Sequence, residues 1–322
     1  MKLSLMPSWV NEKMKKTIIY ICCLLVGLLP LSLLATEALA IKEVAPGVFV
    51  HQGQHKDVDE GYQGDICNIG FIVGKTSVAV IDTGGSESIG DALLAEIHKK
   101  TDLPIRYVIN THVHLDHIYG NVAFIKEGAD FIGHKNLPDA MRIRKEFYEK
   151  TNQKYLNIPP DKTIQVFPNI LIEESKSIEI DLGARPIKIT AYPLAHTNTD
   201  VTVEDLNTST LWTGDLLFIE RTPVIDGDIH GFIKVLNSLM DMKFNLLIPG
   251  HGTPTQETKL AWEKIRHYLI VLRDGIRTSI DQGQDLQTAI NVVARMEYSK
   301  WLLFDIQNAR NINMIYPKME WE

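Results

Sequence analysis

Cysteine is scarce in this sequence of 322 residues, which contains Cys22, Cys23 and Cys67. The first two lie in an N-terminal segment that we predict to be removed, which leaves one cysteine and excludes an intrachain disulfide in the mature chain. Cys67 lies in the apolar stretch from Ile66 to Val73, and no other motif pairs it with a base. We therefore interpret Cys67 as a small buried apolar residue rather than a nucleophile.

The sequence also lacks long basic runs, short-period repeats and low-complexity tracts. Its formal net charge is −7, which argues against a nucleic-acid partner. Hydrophobic residues make up 45% of the chain and charged residues 23%, which excludes a disordered protein. This length and composition suit one large globular domain, or one domain with a helical appendage.

No apolar run reaches the ~20 residues that a membrane-spanning helix needs. The longest, Ile18 to Leu34, contains Pro30, follows a basic stretch and precedes Ala38-Leu39-Ala40. This order is typical of a Sec-type signal peptide cleaved after Ala40. We predict that residues 1–40 are removed and that the protein is periplasmic or secreted. A retained membrane anchor is the alternative, and translation from Met14 stays open.

The mature chain shows two strand-rich halves, each accompanied by helices. In the first half we predict the strands Val48–Gln52, Cys67–Val73, Ser77–Asp82, Arg106–Asn110 and Asp130–Gly133, with a helix capped by Ser88 and others from about His117 to Lys126 and from Leu137 to Tyr155. In the second half we predict the strands Ser177–Asp181, Ile187–Pro193, Val201–Glu204, Thr210–Thr213 and Leu246–Pro249, the helix 231–242 and a helical tail over about 256–322. The pattern predicts a mixed α/β domain over 41–322 in which two sheets pack face to face, with helices outside.

Four residues of types that bind metal ions follow the predicted strand Arg106–Asn110. His112, His114 and Asp116 are spaced so that an extended chain would project all three to one side. A turn after Asp116 would bring His117 to the same cavity. Imidazole and carboxylate are ligands that zinc accepts. A hydrogen-bonded polar turn without a metal is the alternative, but this many polar groups without a cation would repel one another or lose solvation.

Further ligand types occur where later predicted strands end. His196 follows Ile187–Pro193, Asp215 follows the strand that ends near Thr213, and His251 follows Leu246–Pro249. Loops at strand ends are where α/β folds place their sites. Each residue taken alone is typical of a turn, and its weight comes from the order in which the three recur after the histidine cluster.

Together with Asp82 in Ile81-Asp82-Thr83-Gly84, these segments resemble the five motifs of the metallo-β-lactamase superfamily. The resemblance implies a four-layer αββα sandwich with two zinc ions in the groove between the sheets. It implies one zinc held by His112, His114 and His196. The second would be held by Asp116, His117 and His251, and Asp215 would bridge the two. Asp82 would orient the histidine loop, and a simple strand-ending turn is the alternative for it.

The fourth motif separates subgroups. Asp215 stands where the β-lactamases of this superfamily usually carry Cys or Ser, which disfavours β-lactam hydrolysis and resembles the glyoxalase-II-like and lactonase-like hydrolases. The segment from Gly214 to Gly231, together with Asn308 to Glu322, is similar to the exported quinoprotein relay system zinc metallohydrolases and their sulfur-oxidation-cluster relatives. That narrower resemblance implies association with a periplasmic redox system.

Arg221 and His230, which follow Asp215 in the chain, are candidates for substrate contact. Alternatively, Arg221 pairs with Asp226 or Asp228 at the surface, and His230 is a solvated turn residue.

The resulting functional prediction is a binuclear zinc hydrolase that acts on a small ester, thioester or lactone. A metal-bridging hydroxide would attack the carbonyl carbon, and Asp116 would orient the hydroxide or shuttle its proton, a role that competes with simple ligation. Iron or manganese also suit these ligands. A β-lactamase and a metal-binding accessory protein of a periplasmic quinoprotein or sulfur-oxidation system are the alternatives. The sequence leaves the oligomeric state open.

Overall fold

The computed structural model describes residues 38–59 and 61–322, so most of the predicted signal peptide lies outside the described residues. Its strands form two sheets. The first sheet contains, in spatial order, β1 (Ile41–Ala45), β2 (Val48–His51), β3 (Ile69–Val73), β4 (Val78–Ile81), β5 (Ile105–Ile109), β6 (Asp130–His134) and β7 (Ile170–Ile172). Neighbours pair antiparallel from β1 to β4 and parallel from β4 to β7.

The second sheet has the spatial order β12-β11-β10-β9-β8. Its strands are β8 (Ser177–Asp181), β9 (Pro186–Ala191), β10 (Val201–Asp205), β11 (Thr210–Phe218) and β12 (Leu246–His251). Within the described residues, β11 and β12 pair parallel, and the other neighbours in this sheet pair antiparallel.

Helices cover both outer faces. They are α1 (Glu87–Lys100), α2 (Leu115–Ile118), α3 (Leu137–Leu156), α4 (Ile229–Met240), α5 (Thr258–Asp281), α6 (Leu286–Val292) and α7 (Phe304–Glu320), with 3-10 segments at Tyr119–Glu127, Pro160–Lys162 and Arg295–Lys300. None of the helices in the described part of the chain combines the length and apolar character needed to cross a bilayer.

Side-chain alternation along the strands explains the layers. In β4, Ala79 and Ile81 face the second sheet, whereas Val78 and Val80 face outward against Leu93 of α1. On the other side, α4, α5 and α7 bury their apolar stripes against the outer face of β11 and β12. The predicted αββα sandwich is confirmed, and the tail helices are part of its outer layer.

Several predicted boundaries were wrong for identifiable reasons. The N-cap of α1 is Ser86, whose Oγ accepts from the backbone N–H of Ile89, while Ser88 lies inside the helix. The predicted helix from His117 to Lys126 is the short α2 followed by a 3-10 segment. Strand β11 continues past Thr213 to Phe218, because Gly214 at φ 50° shifts the register and lets pairing with β12 resume.

A buried ion pair joins the two sheets away from the helices. Arg185 donates to both carboxylate oxygens of Asp205 at 2.9 and 2.8 Å, and to the carbonyls of Val73 and Pro46 at 2.9 and 2.7 Å. Asp205 is fully buried. The pair therefore ties the β8–β9 hairpin to the turns of the first sheet.

We expect Arg185→Met to lower the free energy of unfolding by about 3–5 kcal/mol, because it leaves the Asp205 carboxylate buried without a counter-ion. Urea unfolding measures this. Lys150→Met is the control, since its partner Glu146 is exposed and such a pair contributes at most about 1 kcal/mol. Equal losses in the two variants would contradict this assignment.

Candidate metal centre

The seven predicted ligands meet at one edge of the sandwich. His112 and His114 follow β5, Asp116 and His117 lie in α2, His196 follows β9, Asp215 lies in β11, and His251 ends β12. The sequence predicted an extended chain through Asp116, but α2 begins at Leu115, so Asp116 lies in a helix. The helical turn, rather than strand alternation, brings Asp116 and His117 to the site.

Three histidines and one carboxylate form the first group. His114 Nδ1 lies 3.1 Å from His112 Nε2 and 3.2 Å from His196 Nε2. The Oδ2 atom of Asp215 lies 3.4 Å from His196 Nε2 and 3.6 Å from His112 Nε2. The donor atoms of these four residues all lie within 4.8 Å of one another, which is close enough to share one cation.

A second group forms on the other side of Asp215. His117 Nε2 lies 3.4 Å from Asp215 Oδ1, and His251 Nε2 lies 3.4 Å from Asp215 Oδ2. Asp116 Oδ2 lies 3.4 Å from His251 Nε2 and 3.6 Å from His117 Nε2. Asp215 therefore contacts both groups, as a residue bridging two cations would.

Each of the five histidines has its outer ring nitrogen beside an oxygen acceptor. The contacts are His112 Nδ1 to Thr111 Oγ1 at 3.0 Å, His114 Nε2 to Asp226 Oδ2 at 3.1 Å, His117 Nδ1 to Asp82 Oδ2 at 2.8 Å, His196 Nδ1 to the Val224 carbonyl at 2.8 Å and His251 Nδ1 to the Ile66 carbonyl at 2.7 Å. Donation outward places a lone pair on every inner nitrogen. The five inner lone pairs converge on the two groups.

This arrangement fits metal ions and is costly without them. Inner nitrogens that both carry lone pairs repel one another at 3.1–3.2 Å. His117 Nε2 and Asp215 Oδ1 are buried and have no hydrogen-bond partner among the described residues. Buried polar atoms are normally paired, so these two orphaned atoms fit a cation bound at this site.

Burial and neighbouring charges shape the protonation of the cluster. Burial holds the pKa of His196 down at about 4, opposed by Asp215. It also lowers the pKa of His112, helped by the nearby His117. Burial opposes the charge on Asp215 as well, but His251, His117 and His112 outweigh it and hold its pKa well below the usual range. Neutral imidazoles and an ionised carboxylate are the forms that bind metal.

His117 differs from the other histidines. Burial works against its charged form, but the carboxylates of Asp116 and Asp82 outweigh burial and raise its pKa well above the usual value. A proton and a metal ion would therefore compete for His117 Nε2.

Asp82 supports the histidine loop from beneath. Its Oδ1 accepts from the Thr111 backbone N–H at 2.8 Å, and its Oδ2 accepts from Thr111 Oγ1 at 2.7 Å and from His117 Nδ1. Asp82 has φ 51°, a left-handed conformation that Asp tolerates better than most residues. Its contacts are those of a residue that orients His112 and His117, rather than those of a simple turn.

Several supporting groups were missed by sequence analysis. Asn311 of α7 accepts from the backbone N–H of Ile225 at 3.0 Å and donates to the Pro223 carbonyl at 2.7 Å. It thereby holds the Val224 carbonyl against His196. Asp226 receives both His114 and Arg144, the latter at 2.7 Å. Asp226 and Asn311 both lie within the segments quoted for the narrower resemblance, but nothing in the sequence indicated the role of Asn311.

Cys67 lies closer to the cluster than its apolar context indicated. Its Sγ donates to the Asp116 carbonyl at 2.8 Å, and with Asp116 and His117 it forms a third set of possible donor atoms. Burial raises the pKa of its thiol to about 12. Within the described residues Cys67 is thus a protonated, buried group that supports the turn at α2.

The two candidate substrate contacts separate. Arg221 is buried, its Nη1 lies 3.1 Å from His251 Nδ1, and its Nε has no hydrogen-bond partner among the described residues. It lines the groove above the cluster and does not pair with Asp226 or Asp228. His230 is exposed, 3.4 Å from Glu322, and is not part of that groove lining.

Gly250 leaves the space that Asp215 occupies. A Cβ at this position would lie 1.9 Å from Asp215 Oδ1 and 2.8 Å from the Gly214 carbonyl carbon. We expect Gly250→Ala to push the carboxylate out of its bridging position and to weaken metal binding by roughly 10–100-fold, the range seen when supporting contacts of metal ligands are lost. Competitive chelator titration measures this. Gly128→Ala is the control, because nothing lies within 4 Å of its Cβ position, so it adds only the local backbone strain of φ 69° and no steric contact with the cluster. Unchanged metal affinity in Gly250→Ala would contradict the bridging geometry.

Comparison with known proteins places this geometry in a family. A family model described as "Metallo-beta-lactamase superfamily" matches residues 62–265, more than half of the chain. The "Beta-lactamase-like protein 2 homolog" of Drosophila melanogaster is 26% identical over 189 residues, 58% of this chain and 59% of that protein. A "Linear primary-alkylsulfatase" of Pseudomonas sp. is 44% identical over 48 residues, 15% of this chain and 9% of that protein.

Solved structures share the fold. The inverting sec-alkylsulfatase Pisa1 from Pseudomonas sp. superposes with a TM-score of 0.68 at 16% identity, covering 87% of this chain and 50% of that one. A metallo-β-lactamase from Hirschia baltica gives 0.57 at 18% identity, covering 72% and 98%. The chain spans less than two thirds of the length of the first relatives that it matches. With the family match and the fold in agreement, the chain belongs to the metallo-β-lactamase superfamily, whose members are generally hydrolases.

Proposed function

We propose that this protein is an exported hydrolase that uses two zinc ions to cleave a small ester, thioester or lactone. The observation that carries the proposal is the set of five histidines whose outer nitrogens all face oxygen acceptors, so that the inner nitrogens surround Asp215. His112, His114 and His196 would hold one ion. Asp116, His117 and His251 would hold the other, and Asp215 would contact both.

The bound metals would supply Lewis acidity and a lowered pKa for water. Zinc suits a donor set of imidazole and carboxylate, which iron and manganese also accept. The remaining work falls to this chain's own groups. Asp116 lines the groove and is the carboxylate that would orient the attacking water and take up its proton, a role that competes with ligation. Arg221 also lines the groove, and its guanidinium would bind a negatively charged group of the substrate.

Asp215 favours esters and thioesters over β-lactams. A carboxylate between the metals would add negative charge there. It would also replace the softer Cys or the uncharged Ser of the β-lactamases, which changes how a departing nitrogen can be received. The alkoxide or thiolate that leaves an ester or thioester is a more stable anion than the nitrogen that leaves a β-lactam. Its departure therefore depends less on assistance from the second metal. β-Lactam hydrolysis is therefore the weaker candidate.

A sulfate ester is a second candidate substrate. The 44% identity over 48 residues to a linear primary-alkylsulfatase favours it, and so does the buried Arg221, which lacks a carboxylate partner among the described residues. The short length of that match makes this candidate subordinate to the carbonyl substrates.

Export and association with a periplasmic redox system complete the proposal. Both rest on sequence features, namely the signal-like N-terminus and the motifs within 214–231 and 308–322. Leu39 is buried against the first sheet, so cleavage after Ala40 would remove this contact. N-terminal sequencing of protein from the cell envelope tests export, and a chain that still begins at Met1 or Met14 would contradict it.

A substrate panel tests the activity. Aryl esters, acyl thioesters, lactones, an alkyl sulfate, a cephalosporin and a carbapenem are assayed with the metal-loaded protein, and His196→Ala serves as the inactive reference. We expect kcat/KM for esters or thioesters to exceed that for β-lactams by at least about tenfold, which is a barrier difference of ~1.4 kcal/mol. A β-lactam preferred by a hundredfold would overturn the argument from Asp215.

A further inference from the structure

The groove above the metal centre is long. It has a volume of about 980 Å³, and its floor is formed by His114, Asp116, Asp215 and His251. Helices α3 and α7 form its walls. The lining residues of α3 run from Arg144 to Tyr155, which at 1.5 Å per residue is roughly 16 Å of helix. A compact substrate such as an acetyl ester would occupy only the floor.

The walls offer apolar surface rather than free polar groups. Phe147, Tyr148 and Tyr155 of α3 face Met314 of α7 across the groove, and Val224 and Ile225 add to the lining. The polar residues between them already have partners. Arg144 donates to Asp226 at 2.7 Å, Arg310 donates to Asp57 at 2.7 Å, and Thr151 Oγ1 donates to the Phe147 carbonyl at 2.8 Å. Arg144, Arg310 and Thr151 can therefore keep these hydrogen bonds when an apolar ligand lies beside them.

The aromatic residues of α3 lead from the interior to the surface. Tyr148 is buried, and burial raises the pKa of its phenol, to which Asp226 and Asp116 add against the opposing charge of Arg144. Its ring centroid lies 5.8 Å from that of Phe147, which is 68% exposed. Covering such an exposed aromatic side chain with an apolar ligand removes apolar surface from water, which favours binding.

We infer that the groove binds a substrate with a medium-length apolar chain, which lies along α3 while the scissile bond lies over the metal centre. The inference rests on the proposed function and specifies its substrate class: acyl esters or thioesters of several carbons rather than acetyl compounds. Phe147 is the residue that sets this chain-length preference.

The first test uses a series of aryl esters and thioesters with acyl chains from two to twelve carbons. We expect kcat/KM to rise about threefold to fourfold for each methylene that enters the groove, the ratio that corresponds to burial of one CH₂ group. Phe147→Ser should lower the ratio of decanoyl to acetyl kcat/KM by about tenfold. Ile143→Ser is the matched control, because Ile143 lies one turn earlier on α3, is 80% exposed and is not part of the lining. It should leave the ratio unchanged.

The second test measures binding without hydrolysis. Isothermal titration of decanoate and acetate into the metal-loaded protein should show tighter binding of decanoate than of acetate, with a preference about tenfold smaller in Phe147→Ser than in the wild type and in Ile143→Ser. If no ester or thioester is cleaved but this binding pattern is found, the proposed activity fails and the groove assignment stands. If esters are cleaved with a flat chain-length profile, or if Phe147→Ser and Ile143→Ser behave alike, the inference is overturned and the hydrolase proposal is untouched.

Discussion

Replacing Asp215 by alanine should lower kcat/KM by about a thousandfold or more and should deplete both metal positions. The carboxylate lies 3.4–3.6 Å from the inner nitrogens of His112, His117, His196 and His251, so no other residue in the described part of the chain contacts so many of the candidate ligands. Its loss would remove the anion that would offset two adjacent cations. Metal catalysis supplies several kcal/mol of transition-state stabilisation, and each ~1.4 kcal/mol is worth tenfold in rate.

The measurement pairs steady-state kinetics with elemental analysis of the same sample, and circular dichroism checks that the variant is folded. Asp241→Ala is the control, because this exposed aspartate follows α4 and carries no part of the site. A variant at position 215 that keeps more than about a tenth of wild-type activity with full metal content would refute the bridging assignment.

The second large effect is expected at Asp82. Asp82→Asn keeps the shape of the side chain and a residue type that tolerates φ 51°, but it replaces one acceptor oxygen by a donor. The carboxylate now accepts from Thr111 N–H, Thr111 Oγ1 and His117 Nδ1. An amide cannot accept all three hydrogen bonds, so His117 loses the contact that fixes its tautomer. Metal affinity should fall roughly 10–100-fold.

Competitive chelator titration measures that loss, which should fall mainly on the position held by His117. Asp205→Asn is the matched control. Asp205 is equally buried, but its side chain accepts from Arg185 and Thr208 and contacts none of the seven candidate ligands. Similar metal affinity in Asp82→Asn and Asp205→Asn would mean that Asp82 does not support the cluster.

The sequence was sufficient to predict the sandwich and to choose the residues that meet in space. Residues at the ends of strands converge because parallel and neighbouring strands end at the same sheet edge, and the ligand types recur at those ends. Local geometry was harder to predict. No short sequence pattern indicates the helical turn that begins at Leu115 or the register shift at Gly214, where β11 pairs with β12.

The groups that hold the histidines were the least predictable. The carbonyls of Val224 and Ile66 are backbone atoms, which carry no residue signature. Asn311 reaches its loop from a helix far along the chain, so only the tertiary structure reveals the contact. Arg221 was weighed as a surface residue because neighbouring aspartates offered partners. The structure instead pairs Asp226 with Arg144 and makes Asp228 the N-cap of α4.

The central claim is that these seven residues hold two metal ions. Its most direct test is the metal content of the chain purified without chelators, determined by inductively coupled plasma mass spectrometry for the wild type, His196→Ala and His251→Ala. The account predicts two ions per wild-type chain, mainly zinc, with one position emptied in each variant: that of His112 and His114 in the first, and that of Asp116 and His117 in the second. One ion or none in the wild type, or wild-type stoichiometry in both variants, would contradict it.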